Sequence, residues 1–153
     1  MSIIQALGRG CSIAKAGLKD AFWILPIHPS DYRLLGFSWQ DKIYYDRALP
    51  MGCSVSCRVF EELSKSIEWI LINKFQVSTM SHILDDFIFF GANSDPCSRD
   101  LKKFFILAKS LNLPIKDEKT VQPTTIACLH GIDVDTVVIC DKYEVNINFC
   151  KLK

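Results

Sequence analysis

Short apolar runs separated by polar clusters alternate with longer stretches of helical period, and this alternation predicts the elements. Ile13 to Ala16 reads as a strand that leads into Gly17-Leu18-Lys19-Asp20-Ala21-Phe22. Leu34 to Trp39 and Ile43 to Tyr45 flank Gln40-Asp41-Lys42, the signature of a β-hairpin. Leu49-Pro50-Met51-Gly52 is a turn entering a helix. Phe60, Leu63, Ile67, Ile70 and Leu71 then recur at helical spacing, which predicts an amphipathic helix over roughly 55–75. Ser94-Asp95-Pro96 starts a second helix, with Leu101, Phe104, Phe105, Ala108 and Leu111 on one face and an end near Asn112 and Pro114. Cys128 to Val134 and Val137 to Cys140 read as late strands. The order is strand, hairpin, helix, hairpin, helix, strands. It predicts an α+β fold in which helices pack on one face of an antiparallel sheet. No repeat or linker divides the 153 residues, so 1–153 is expected to form a single domain.

The segment Ser81 to Gly91 changes the picture from fold to chemistry. Asp85 and Asp86 stand between two runs rich in Ile and Phe, each too short for an ordinary helix. An acid pair between two such strands belongs at a hairpin turn, projecting from a rigid base. Two ionised acids without partners are costly to bury, and Mg²⁺ is a common compensation because hard cations bind carboxylate oxygens. The alternative is a turn that merely solubilises the hairpin.

Composition narrows the classes. Apolar residues are 49% and charged residues 23% of the chain, which suits a packed core and argues against disorder. A net charge of +1 gives no bulk support for binding a polyanion, leaving only a local patch. Seven cysteines without a C-x-x-C, and histidines without zinc spacing, argue against structural zinc. The odd count and the lack of a signal peptide fit a reducing, intracellular compartment, cytoplasm or nucleus. No apolar run reaches transmembrane length, so no membrane partner is expected. Cys53 and Cys57 are expected to serve helix packing. His28 and His82 show no acid partner in the sequence and are expected to be structural.

Four blocks, in order, resemble the palm of a reverse transcriptase. Gly17-Leu18-Lys19-Asp20-Ala21-Phe22 with Pro26 resembles the first motif, D-h-x-x-A-[FY] followed by Pro. Leu49-Pro50-Met51-Gly52, with Ser56 and Phe60, resembles L-P-x-G. Ile83-Leu84-Asp85-Asp86 resembles Y-x-D-D. Lys119 and Leu129-His130-Gly131-Ile132 resemble the late lysine and the F-L-G turn. The wording of His28 to Phe37 and of Glu118 to Thr125 is similar to retrotransposon enzymes of the DIRS-like (tyrosine-recombinase) group. The likeness spans roughly residues 8–140.

The resemblance implies a polymerase-like palm, a nucleotidyltransferase acting on an RNA or DNA template-primer and dNTP. Two Mg²⁺ about 4 Å apart would hold the attacking and leaving oxygens. Asp85 and Asp86 match the catalytic, metal-binding positions of the hairpin. Asp20, Ala21, Phe22, Met51, Gly52 and Lys119 match positions around the nucleotide. Phe22 is either the gate against a 2′-hydroxyl or a core aromatic. Met51 either lines the pocket or fills a loop. Lys119 is either a proton donor to pyrophosphate or a solvated lysine.

Several departures stand against activity. The first-motif carboxylate is replaced by Gly17, and Asp20 lies beyond a turn, badly placed to substitute. Ile83 replaces an aromatic, and Leu129 and His130 replace Phe and Leu. Complete fingers and thumb, and a ribonuclease H segment, are not recognisable. The expectation is therefore a truncated palm that binds Mg²⁺ weakly, does not extend primers, and tends to self-associate. The alternative is a non-catalytic module that binds nucleic acid or protein.

Overall fold

The computed structural model describes residues 2–138 and 148–149. Its centre is a four-stranded antiparallel sheet ordered β4-β5-β1-β6, with β1 at Ser12–Gly17, β4 at Met80–Ile83, β5 at Asp86–Gly91 and β6 at Val121–Thr124. Chain neighbours β4 and β5 form the acidic hairpin. β1 sits between β5 and β6, so the first strand of the sheet is central and buried. Pro123 is tolerated in β6 because that strand lies at an edge, where a missing N–H breaks no ladder.

Two helices cover one face. α2 (Ser56–Asn73) and α3 (Ser94–Ser110) bring Phe60, Ile67, Leu71, Leu101 and Phe104 onto Ala14, Ala16, Phe87 and Phe89. Phe104 is fully buried, with ring centroids 5.0 Å from Phe87 and 5.6 Å from Phe89. Removing such a ring costs about 3–5 kcal/mol. Alternation of side chains sends Ile13, Ile88 and Phe90 to the opposite face. There they meet Ile4 of the short helix α1 (Ser2–Leu7) and Ala127 and Val134 of a hairpin built from β7 (Ile126–Leu129) and β8 (Ile132–Asp135). The expected helical layer on one face is present. The other face is covered too, by the late strands around Cys128 to Val134 and by α1, which is too short to announce itself in sequence.

Boundaries agree closely for α2 and α3. Asn93, not Ser94, caps α3, its side chain accepting from the Asp95 N–H at 3.1 Å. Gly91 precedes this cap for steric reasons: a Cβ there would stand 2.8 Å from the Cys97 nitrogen. The predicted first hairpin is β2 (Gly36–Trp39) with β3 (Lys42–Tyr45), but Leu34 and Leu35 belong to a 3₁₀ turn rather than to the strand. The run Cys128 to Val134 is not one strand. It bends at His130 and Gly131, with φ of +52° and +81°, into the β7–β8 hairpin. Val137 and Val138 lie in a turn, and 139–140 fall outside the described residues. Asn148–Phe149 adds a third strand, β9, beside β8.

Candidate active site

The site forms where β1 ends against the β4–β5 hairpin. In the antiparallel register Gly17 pairs with Asp86 and Ile83 pairs with Asp86 across the other side. Leu84 and Asp85 make the turn itself. Leu84 has φ +50°, a left-handed conformation that a leucine adopts only under local strain of about 1–3 kcal/mol. Three hydrogen bonds hold this shape. The buried Ser64 hydroxyl donates to the Leu84 carbonyl at 2.7 Å. The Leu18 N–H donates to the Asp85 carbonyl at 2.9 Å, and the Lys116 N–H to the Gly17 carbonyl at 2.9 Å. The last bond brings the loop carrying Lys119 over the end of β1.

The acids meet cations of the chain itself. Lys15 Nζ lies 2.7 Å from Asp86 Oδ2, both side chains largely buried at 12% and 14% exposure. Lys119 Nζ is 3.9 Å from Asp85 Oδ2, and His130 Nδ1 is 3.9 Å from Asp86 Oδ2. Asp86 Oδ1 is buried with no hydrogen-bond partner among the described residues. Gly17 has ordinary extended backbone, so nothing in its conformation demands glycine. A Cβ at Gly17 would stand 3.1 Å from Asp86 Oδ1 and 3.6 Å from the Lys119 side chain.

The sequence-predicted site residues separate into two groups. Gly17, Asp85, Asp86 and Lys119 converge. Lys119 is aimed at the acid pair, although its side chain keeps 42% exposure. Asp20, Ala21 and Phe22 follow directly from β1, but Asp20 turns away in the left-handed region at φ +56° and is exposed. Phe22 is half-buried, its ring edge-on to Phe60 at 5.2 Å. Met51 and Gly52 lie in the turn ahead of α2, with Met51 73% exposed. That turn is tied to the helix by the Ser56 hydroxyl, which donates to the Pro50 carbonyl at 2.7 Å.

Sequence reasoning missed Lys15. Its signal was present: two residues before Gly17 in a strand, it must share that residue's face. It also missed the acids around His82, and this corrects the expectation that His82 has no acid partner. Nε2 lies 3.2 Å from Glu61 Oε1, within hydrogen-bond reach. Nδ1 lies 3.1 Å from Glu68 Oε2 but off the line a hydrogen bond needs. Glu61, Ser64 and Glu68 form one stripe of α2 facing the hairpin. His28 is structural as expected, its Nδ1 capping a 3₁₀ turn by accepting from the Ser30 N–H.

The sequence profile of the family described as reverse transcriptase (RNA-dependent DNA polymerase) matches residues 1–145. The chain belongs to the reverse transcriptase family. Solved structures of foamy viral protease-reverse transcriptase share its fold. One, in complex with dsDNA, has a TM-score of 0.70 at 19% identity over 81% of this chain and 25% of that one. The native prototype foamy virus enzyme gives 0.70 at 21% identity, over 93% and 19%. A complex with RNA/DNA hybrid gives 0.68 at 18% identity, over 82% and 16%. This reverse transcriptase domain thus spans a quarter or less of the chains it matches, and corresponds to their palm region. No curated protein sequence matches it.

Polymerases of this kind work with two divalent ions held by carboxylates. The residues of this domain do not fit such a pair. Gly17 offers only a carbonyl already engaged by Lys116, and Asp86 Oδ2 is engaged by Lys15. Among the described residues, no group of three or more His, Cys, Asp or Glu side chains is arranged to hold a metal ion. Nor is any described helix long and apolar enough to cross a membrane.

Proposed function

We propose that this domain is the palm core of a retrotransposon reverse transcriptase, of the DIRS-like kind, that no longer extends primers. The observation that carries the reading is the register of Gly17 opposite Asp86. It puts a residue without a side chain where a metal-bridging carboxylate would face the hairpin. Asp85 and Asp86 are the surviving ligands, and Mg²⁺ affinity is weak because ligand number and placement set it. Template-primer and dNTP are the ancestral partners. Asp20, Ala21, Phe22, Met51, Gly52 and Lys119 are the remains of the nucleotide site.

The test grafts this palm into a complete relative that has fingers and thumb. The Gly17 graft is expected to be dead and the Gly17→Asp graft active, with a difference on the order of 10³-fold or more in primer extension. Near-equal extension by the two grafts would sink the reading.

A second reading, a non-catalytic binding module, is favoured by the β2–β3 hairpin. Phe37, Trp39 and Tyr44 lie on one face of it, 52%, 63% and 41% exposed, with Phe37 and Tyr44 stacked at 5.8 Å. Apolar surface of this kind seeks a cover, and self-association is the simplest. Sedimentation equilibrium should show concentration-dependent mass, reduced by Trp39→Ser. A heparin-resistant electrophoretic shift would instead support nucleic-acid binding, and a clean monomer with no shift would remove the module.

A further inference from the structure

We propose that Lys15 is a built-in counter-cation, its ammonium standing in a cation position at the hairpin, so that metal binding is weakened at two places and not only at Gly17. The inference rests on the palm reading and deepens it. Strand alternation puts Lys15, Gly17 and Asp86 on one face of the sheet, with Lys15 diagonal to Asp86 in the β1–β5 register. The 2.7 Å contact is short and little exposed, and water screens it poorly. Lys119 stands to Asp85 as Lys15 stands to Asp86, though more loosely at 3.9 Å. Two acids are thus answered one for one by two lysines.

A site built this way no longer needs a divalent ion to balance its charge. It also resists one. A metal on Asp86 Oδ2 would have to displace an ammonium held in the same cleft or sit beside it. The unpartnered Oδ1 is the acceptor left over, and it lies 3.1 Å from where a Cβ at Gly17 would stand. An aspartate at 17 would press its Cβ to 3.1 Å from that oxygen and add a like charge, with Lys15 already committed to Oδ2 and Lys119 facing Asp85. Restoring Asp at 17 therefore recovers only part of the affinity for a metal, and replacing Lys15 as well recovers more of it.

The experiment compares wild type, Gly17→Asp, Lys15→Met and the double variant by Mn²⁺ titration, reading free Mn²⁺ by electron paramagnetic resonance. Folding of each is checked by circular dichroism, and Lys15→Gln replaces Lys15→Met should the latter melt early. The double variant is expected to bind at least about tenfold more tightly than Gly17→Asp alone, with binding abolished by adding Asp86→Asn. Mn²⁺ should raise the melting temperature of the double variant and leave wild type unmoved. Equal, Asp86-dependent binding by Gly17→Asp and the double variant would overturn the role of Lys15 and leave the palm reading intact. Failure of both to bind would overturn the palm reading, and this inference with it.

Discussion

Two carboxylates on facing elements of this fold have opposite surroundings. Asp100, on α3, is 2% exposed, and both of its oxygens are used. Oδ2 accepts the Ser78 N–H at 2.9 Å, and Oδ1 accepts Lys103 Nζ at 2.7 Å. Lys103 also donates to the Gln76 carbonyl at 2.9 Å, so the cluster staples the helix to the loop ahead of β4. Asp86 has one oxygen on Lys15 and one on nothing. A fully answered buried acid is a structural part. A half-answered one, kept beside a strained turn, is the mark of a place shaped for a ligand. The difference separates the two sites without reference to any relative.

The comparison breaks most readily at Asp100. Asp100→Ala should cost about 3 kcal/mol in urea unfolding, because it strands the Ser78 N–H and a partly buried ammonium together. Lys15→Met combined with Asp86→Leu should change stability by no more than about 1 kcal/mol, since the pair is removed as a unit and no buried charge is left unanswered. Equal costs for the two variants would erase the distinction. Lys103→Met is expected to fall between, about 1–2 kcal/mol, because the Ser78 N–H still serves Asp100. The check is the shift in denaturation midpoint at constant slope.

The contrast also shows what sequence can disclose. The acidic hairpin was legible because strand-like runs flank Asp85 and Asp86 and nothing longer competes. The helices α2 and α3 were legible because Phe60 to Leu71 and Leu101 to Leu111 repeat at one period. Lys15 was legible in principle, from strand alternation, but only once Asp86 is known to be its neighbour across β1 and β5. That pairing joins positions more than seventy residues apart in the numbering and leaves no local trace. His82 escaped for the same reason, since its acids sit on α2. β6 escaped because Gln122 and Pro123 disguise a short edge strand, and α1 because six residues give too few periods to count. The fold class and acid pair follow from local pattern, whereas the ion pairs that decide the chemistry follow from topology.

The smallest expected effect lies at Cys97, which reads the charge of Asp100 from inside the core. Its thiol is fully buried and 3.4 Å from the Phe89 carbonyl. Burial first, then the Asp100 carboxylate and Cys11, push its pKa from 9.0 up to about 11. The folded state therefore holds this proton more tightly than the unfolded chain does. Its contribution to stability is complete below pH 9 and is lost as pH rises from 9 toward 11. Thiolate, not thiol, is alkylated, so at pH 8.5 the exposed Cys57 should react with iodoacetamide at least about a hundredfold faster than Cys97. Asp100→Asn, assayed where it remains folded, should narrow that ratio by removing the second cause while leaving burial in place. Tryptic mass spectrometry of a labelling time course measures both rates in one sample. Labelling of Cys97 as fast as Cys57 in the native protein would show that the Asp100 side of the sheet opens readily, and the closed half of the comparison would be lost.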